Sequence, residues 1–247
     1  MCATPTYTGE VGSEFAGSMV LSAIHCAKRG VFLEPIFVPG SALVDLARNY
    51  LVADFLSRKY ATHLFWIDAD LAWNPLAIHK MVSRGLDCVC GVYPYKSDKG
   101  GYPYVPVGRA ENGLQRAERV PGGFMCLSRR AVETITAKCT EWYDVELNAK
   151  TLLVPAVFKC WIEGKHYHGE DFTFCSHLNA AGIPIYVETD VNFFHTGKKA
   201  WGGNLAVLLA REDKQRETDP EFVANEKRTW ETGQAAIDKL QTEGFSK

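Results

Sequence analysis

The run Leu64-Phe65-Trp66-Ile67 stops abruptly on Asp68-Ala69-Asp70. A short apolar segment that ends on two carboxylates reads as a buried strand delivering charge to a sheet edge. In open α/β sheets, ligands sit beyond the carboxyl ends of the strands. From extended backbone, side chains at i and i+2 point the same way. Two carboxylates so placed suit a hard divalent cation, Mg²⁺ or Mn²⁺, that also holds phosphates. The plainer reading of the triplet is a polar strand-to-helix turn, with Asp70 or Asn74 helping to cap the helix.

Around this strand the chain alternates short apolar runs with helical patterns, which argues an α/β fold. Phe15, Met19, Val20 and Ile24 have helical spacing up to Gly30, and Val31–Val38 reads as a strand. Ser41 is the expected N-cap of a second helix whose stripe is Val44, Ala47, Leu51 and Phe55. Pro75 starts a helix to about Arg84, Cys88-Val89-Cys90-Gly91 is a strand, and Phe124–Leu127 leads into a helix capped by Ser128. Gly169-Glu170-Asp171 opens a helix that Gly182 closes, and Ile183–Val187 is a further strand. Residues 92–123, where Tyr93, Tyr95, Tyr102 and Tyr104 alternate with Pro and Gly, read as a long loop or lid, and 139–168 as irregular and aromatic. A domain over 1–205 is expected, followed by a charged helical extension over 206–247 with thin apolar periodicity (Phe222, Trp230, Ile237, Leu240).

Composition excludes some classes. The net charge of −2 gives no global basic field of the kind that drives non-specific nucleic-acid binding. No apolar stretch reaches the roughly 18–20 residues that span a bilayer, and Met1-Cys2-Ala3-Thr4-Pro5 does not open a signal peptide. None of the eight cysteines forms a CxxC pair. Reduced thiols and a cytoplasmic location are therefore expected.

Four further constellations carry chemistry. Arg48, in Ala47-Arg48-Asn49, suits a base or phosphate, or else a surface ion pair. Gly122-Gly123 before a strand lets backbone approach a ligand, or is a turn. Glu170-Asp171 supplies a general base for a hydroxyl acceptor, or two acids favoured by a helix dipole. His195, within Phe193-Phe194-His195-Thr196-Gly197-Lys198-Lys199-Ala200-Trp201, completes an oxygen-rich metal shell, or is structural, and the lysines neutralise a diphosphate.

In this order, Arg48, Asp68-Ala69-Asp70, Gly122-Gly123-Phe124, Gly169-Glu170-Asp171 and His195 resemble the GT-A fold glycosyltransferases, over roughly residues 3–200. The resemblance is family-2-like. It implies a Rossmann-like mixed sheet flanked by helices and transfer of a sugar from a UDP- or GDP-sugar to a hydroxyl, with Mn²⁺ or Mg²⁺ as cofactor. It implies Thr4, Pro5 and Thr6 near the nucleotide base, Arg48 near base or diphosphate, and Asp68, Ala69 and Asp70 around ribose and metal. Gly122 and Gly123 would border donor and acceptor. Asp171 would be the catalytic base beside Glu170. His195 would join Asp68 and Asp70 on the metal, and Lys198 and Lys199 would meet the diphosphate. His195–Trp201 is also similar to a His/Gly/Lys-Pro-Trp segment of retaining members, though one residue separates His from Gly and Ala200 replaces proline. Glu170-Asp171 favours inversion.

A nucleotidyltransferase is the alternative on a similar scaffold, but Thr6–Gly12 carries no Lys or Arg. A catalytically silent sugar-binding module is a third reading, and His166-Tyr167-His168 with Glu170 and Asp171 offers ligand types for a separate metal centre. The acceptor is left open among a glycan, a lipid-linked sugar, a protein and a modified nucleobase. Trp142, Tyr143, Trp161 and Tyr167 suit stacking on it.

Overall fold

The computed structural model describes residues 1–147, 150–197, 199–225 and 227–228. The chain divides into two compact units, Met1–Leu205 and Ala206–Lys247. The first begins with strand β1 (Cys2–Thr6) and helix α1 (Ser13–Ala27). Gly30 ends that helix at φ +74°, and Val31 N–H closes the last turn on Cys26 O at 3.0 Å. Strand β2 (Pro35–Pro39) starts four residues later than the apolar run suggests, because the chain is still turning off α1. Helix α2 (Val44–Ser57) has Leu43 at its cap position; the Ser41 hydroxyl donates to Leu43 O and caps no amide.

Strand β3 (His63–Ile67) is followed by the short β4 (Leu71–Trp73), α3 (Ala77–Ser83) and β5 (Cys88–Cys90). The expected loop over 92–123 contains β6 (Val105–Pro106) and β7 (Leu114–Arg119), so only its first part is free of strand. Next come β8 (Phe124–Ser128) and α4 (Arg129–Ala137), whose Ala131 N–H donates to the Ser128 hydroxyl at 3.1 Å. The region 139–168 is not irregular. It forms two antiparallel pairs, β9 (Trp142–Leu147) with β10 (Lys150–Pro155), and β11 (Trp161–Glu163) with β12 (His166–His168). Helix α5 (Glu170–Ala180), β13 (Ile185–Glu188), β14 (Asn192–Thr196) and β15 (Ala200–Asn204) complete the unit.

The main sheet has eight strands in the order β2-β1-β3-β8-β5-β13-β7-β6. β2, β1 and β3 are parallel, β8 runs antiparallel between β3 and β5, and β13 is parallel to β5. The carboxyl ends of β1, β2, β3 and β5 therefore share one edge with the amino end of β8. That edge gathers Thr6, Asp68, Gly91 and Gly123. The mixed α/β architecture, a large sheet flanked by helices, is consistent with a GT-A-like fold. A second, antiparallel sheet, β15-β14-β4, lies beside it.

β3 reads as a continuous apolar run because both its faces are covered. Trp66 meets Phe158 and Phe174 edge-on at 5.1 and 5.3 Å, and Phe65 meets Phe124 at 4.8 Å. Phe124 packs on Phe193 at 4.9 Å, and a Cβ on Gly91 would collide with both rings. This contact joins the two sheets beside the edge where the acids emerge.

The second unit holds most of α6 (Leu205–Thr218), so the charged segment is helical where described. Phe222 is half-buried, while Trp230, Ile237 and Leu240 lie outside the described residues. Among the described residues no helix is long and apolar enough to cross a membrane.

Candidate functional site

Asp68, Ala69 and Asp70 do not continue β3 in extended form. They make a tight turn into β4, closed by Leu71 N–H on Asp68 O at 3.2 Å. The two carboxylates line the same cleft but have different partners. Asp68 enters a cluster around Arg48, and Asp70 a separate pair with His195.

Arg48 lies on α2, which is buried on nearly all sides at this point, and its side chain is only 3% exposed. Its guanidinium donates to Asp68 Oδ1 at 3.0 Å, to Glu170 Oε1 at 3.3 Å and to Asp171 Oδ1. It also lies 5.5 Å from the centre of the Phe158 ring. The structure thus places Arg48 on the carboxylates. Burial opposes its charge, but Asp171 and Asp68 hold it protonated more firmly than usual. One cation against three acids leaves excess negative charge. Burial raises the Asp68 carboxyl, an effect Arg48 only partly offsets. Burial and neighbouring Asp171 raise Glu170. Tyr93, whose hydroxyl donates to Asp68 Oδ2 at 3.3 Å, is held well above the usual phenol range by its burial and by Asp68.

Gly122 and Gly123 sit against this cluster, and their φ values are ordinary. A Cβ on Gly122 would overlap Asp171 and approach Arg48 Nη1 to 2.9 Å. One on Gly123 would overlap Asp68 Oδ2 and the Tyr93 hydroxyl. The two glycines are where the acids and the β8 backbone share space; Asp68 N–H donates to Gly123 O at 2.8 Å.

Asp70 Oδ2 accepts from Lys96 Nζ and lies 3.6 Å from His195 Nε2. His195 Nδ1 is 2.9 Å from Pro94 O; a carbonyl can only accept, so Nδ1 carries a proton, and whenever the ring is neutral its lone pair lies on Nε2. That is the orientation a metal-ligating histidine needs. Asp70 Oδ1 is buried with no hydrogen-bond partner. Burial would raise this carboxyl, but a donor from His195 Nε2, present when the ring is protonated, and the Lys96 ammonium hold it below the usual range.

Among the described residues no group of three His, Cys, Asp or Glu side chains gathers closely enough to hold a metal ion. Asp70 and His195 nevertheless fit a cation that completes its shell with diphosphate oxygens and water, as Mg²⁺ commonly does with one or two protein ligands. The orphaned Oδ1 and the lone pair on Nε2 are the observations behind that fit. Asp68 is committed to Arg48 and Tyr93. His166 and His168 join no such group, and the His168 ring stacks on Trp161 at 4.5 Å.

An open cleft of about 550 Å³ adjoins the turn, lined by Pro5, Thr8, Glu10, Val44, Asp68, Ala69 and Asp70 among others. Thr4 and Thr6 are buried behind Pro5, with hydroxyls that lack a hydrogen-bond partner. Lys199 pairs with Asp98 and lies 5.3 Å from the Trp201 ring centre. Lys198 lies outside the described residues. Sequence reasoning passed over Lys96. The available signal was topological: the segment after β5 must emerge at the same edge as Asp68.

No protein-family description and no curated protein sequence matches this chain. Among solved structures, one described as A197 from STIV superposes with a TM-score of 0.51 at 18% identity, covering 79% of this chain and 85% of that one. At that identity the likeness concerns fold alone. A glycosyltransferase involved in the glycosylation of the major capsid of PBCV-1 gives a TM-score of 0.31 at 12% identity, over 53% of this chain and 61% of that one.

Proposed function

We propose that residues 1–205 form a glycosyltransferase that moves a sugar from a nucleoside-diphosphate donor to a hydroxyl, with inversion. The observation that carries this reading is the meeting of two carboxylate groupings at one sheet edge. The Asp70–His195 pair lies beside the open cleft, and Glu170-Asp171 is tied to Asp68 through one buried arginine. The first grouping suits a diphosphate with its cation, the second an acceptor hydroxyl.

In this reading the nucleotide lies in the cleft by Pro5, Thr8 and Val44, with its diphosphate towards Asp70. Asp70 and His195 would hold Mn²⁺ or Mg²⁺, which when bound supplies positive charge against the leaving diphosphate. Lys96 and Lys199, with Lys198 beside it in sequence, add to that neutralisation. Gly122 and Gly123, by lacking a Cβ, let Asp171 and Asp68 lie directly against the β8 backbone, which holds the acids of the second grouping in place. Asp171 takes the acceptor proton at Oδ2, since Arg48 engages Oδ1. The acceptor oxygen bonds to the anomeric carbon as the carbon–phosphate oxygen bond breaks. The bonding electrons leave with the nucleoside diphosphate. Arg48 positions Asp171 and Asp68.

The acceptor enters over β9–β12, where Trp142, Trp161 and Tyr167 are exposed and Tyr143 is partly so. A glycan, a lipid-linked sugar, a protein or a modified nucleobase would each present a ring or hydroxyl to such residues. The test is a screen of UDP- and GDP-sugars with Mn²⁺ for thermal stabilisation and for donor hydrolysis. Stabilisation by one nucleotide class is expected. No shift and no turnover with any donor would overturn the reading.

A further inference from the structure

Three residues of one segment reach the three side chains that the sequence offers to a cation. Tyr93 donates to Asp68, Pro94 O accepts from His195, and Lys96 donates to Asp70. The Lys96 ammonium lies on Asp70 Oδ2, the oxygen that faces His195 Nε2. Its stem passes Gly197, where an added Cβ would come within 3.3 Å of Lys96 Cδ and 3.2 Å of Trp201. Two residues on, Asp98 accepts from Trp201 Nε1 at 3.0 Å and pairs with Lys199. The segment is thus stitched to β14 and β15 by side chains on both sides of Lys96.

We propose that Lys96 is a tethered cation occupying the divalent-cation position, and that a divalent ion binds Asp70 and His195 only by displacing it. This rests on the metal-assisted reading of the site. Charge and geometry both require the displacement. Asp70 Oδ2 is shared between an ammonium and an imidazole nitrogen, and a dication placed between them would repel the ammonium at contact distance. The ammonium must leave, and the diphosphate arriving with the ion is its natural new partner. Cation and nucleotide binding are then linked through Lys96. The ion alone binds weakly, because it must strip Asp70 of a good partner. With the diphosphate present, the displaced lysine is compensated. Linkage of this kind is reciprocal and commonly amounts to about 5–150-fold.

Mn²⁺ binding, followed through the electron paramagnetic resonance signal of the free ion, tests this. The full chain is compared with Lys96→Met, Lys96→Arg and Asp70→Asn, with and without UDP or GDP. Without nucleotide, Lys96→Met is expected to bind Mn²⁺ about tenfold more tightly than the parent, and Lys96→Arg no more tightly than the parent. The nucleoside diphosphate should tighten Mn²⁺ binding in the parent and much less in Lys96→Met. Equal affinity in parent and Lys96→Met would overturn the displacement idea and leave the metal reading standing. If neither binds Mn²⁺ with or without nucleotide, or Asp70→Asn binds as the parent does, both fall. Lys96→Arg separates loss of charge from damage to the segment, because it keeps the cation and the long stem.

Discussion

Asn49 satisfies both backbone hydrogen-bonding groups of Phe158. Its Oδ1 accepts from Phe158 N–H at 2.8 Å, and its Nδ2 donates to Phe158 O at 2.7 Å. Phe158 stacks on Phe174 at 4.2 Å and lies beside Arg48, so this clamp fixes one wall of the carboxylate cluster. Asn49→Ala strands a buried N–H and a buried C=O, each worth about 1–3 kcal/mol. Urea denaturation should show a loss of roughly 2–4 kcal/mol, and Asn49→Asp, which keeps only the acceptor, should not recover it.

Replacing Glu170 should stabilise the protein at neutral pH. Its folded-state carboxyl is raised by burial and by Asp171. The folded protein therefore binds that proton more tightly than the unfolded chain. Such a group costs stability as pH rises above the unfolded value of about 4.3 and costs nothing below it. Glu170→Gln should have a higher Tm than the parent at pH 7, with the gap closing towards pH 4. A gap independent of pH would show that desolvation of Glu170 is not its source.

The two carboxylate groupings should separate in mutants. Asp171→Asn is expected to lower transfer by about 10²–10⁴-fold while donor binding persists. Asp70→Asn is expected to weaken Mn²⁺-dependent donor binding by more than about tenfold. Isothermal titration with the nucleotide and a turnover assay distinguish them. Normal transfer by Asp171→Asn would remove it from the role of base.

Gly123→Ala inserts a methyl group where Asp68 Oδ2 and the Tyr93 hydroxyl already lie. Overpacking of this kind costs about 1–3 kcal/mol. Thermal unfolding should show that loss, and the smaller variant Tyr93→Phe combined with it should recover part of it by removing one of the two colliding atoms.

The central strands were legible because burial on both faces leaves an apolar run, as at Leu64–Ile67, and Ser128 caps its helix as the sequence indicates. β7 was not. Its sequence Leu-Gln-Arg-Ala-Glu-Arg places a buried glutamine where an apolar residue would betray a strand. Gln115 is tolerated there because its amide donates to Val107 O and Gly108 O, each at 3.1 Å, which no local pattern reveals. The hairpins over 142–168 were obscured by their exposed, mixed faces. At the site, the residue types were readable but their partners were not. Arg48 reads from the sequence as a base or phosphate ligand or as a surface ion pair; in the structure it is buried, and its acidic neighbours come from segments 20 to 123 positions away. The turn closed by Leu71 N–H on Asp68 O, with different partners for Asp68 and Asp70, is what an extended reading of the triplet misses.

β8 lies between β3 and β5 although it follows both in the chain. During synthesis, then, the first ninety residues emerge with a gap at the centre of their sheet. β3 and β5 join one sheet only through Phe124–Ser128, which pairs with each of them. That arrival also brings Gly122 and Gly123 against Arg48, Asp68 and Tyr93. Sheet closure and assembly of this half of the site are thus one event in the order of folding, and nascent chains cut short of β8 expose two unpaired strand edges of the kind that seed aggregation.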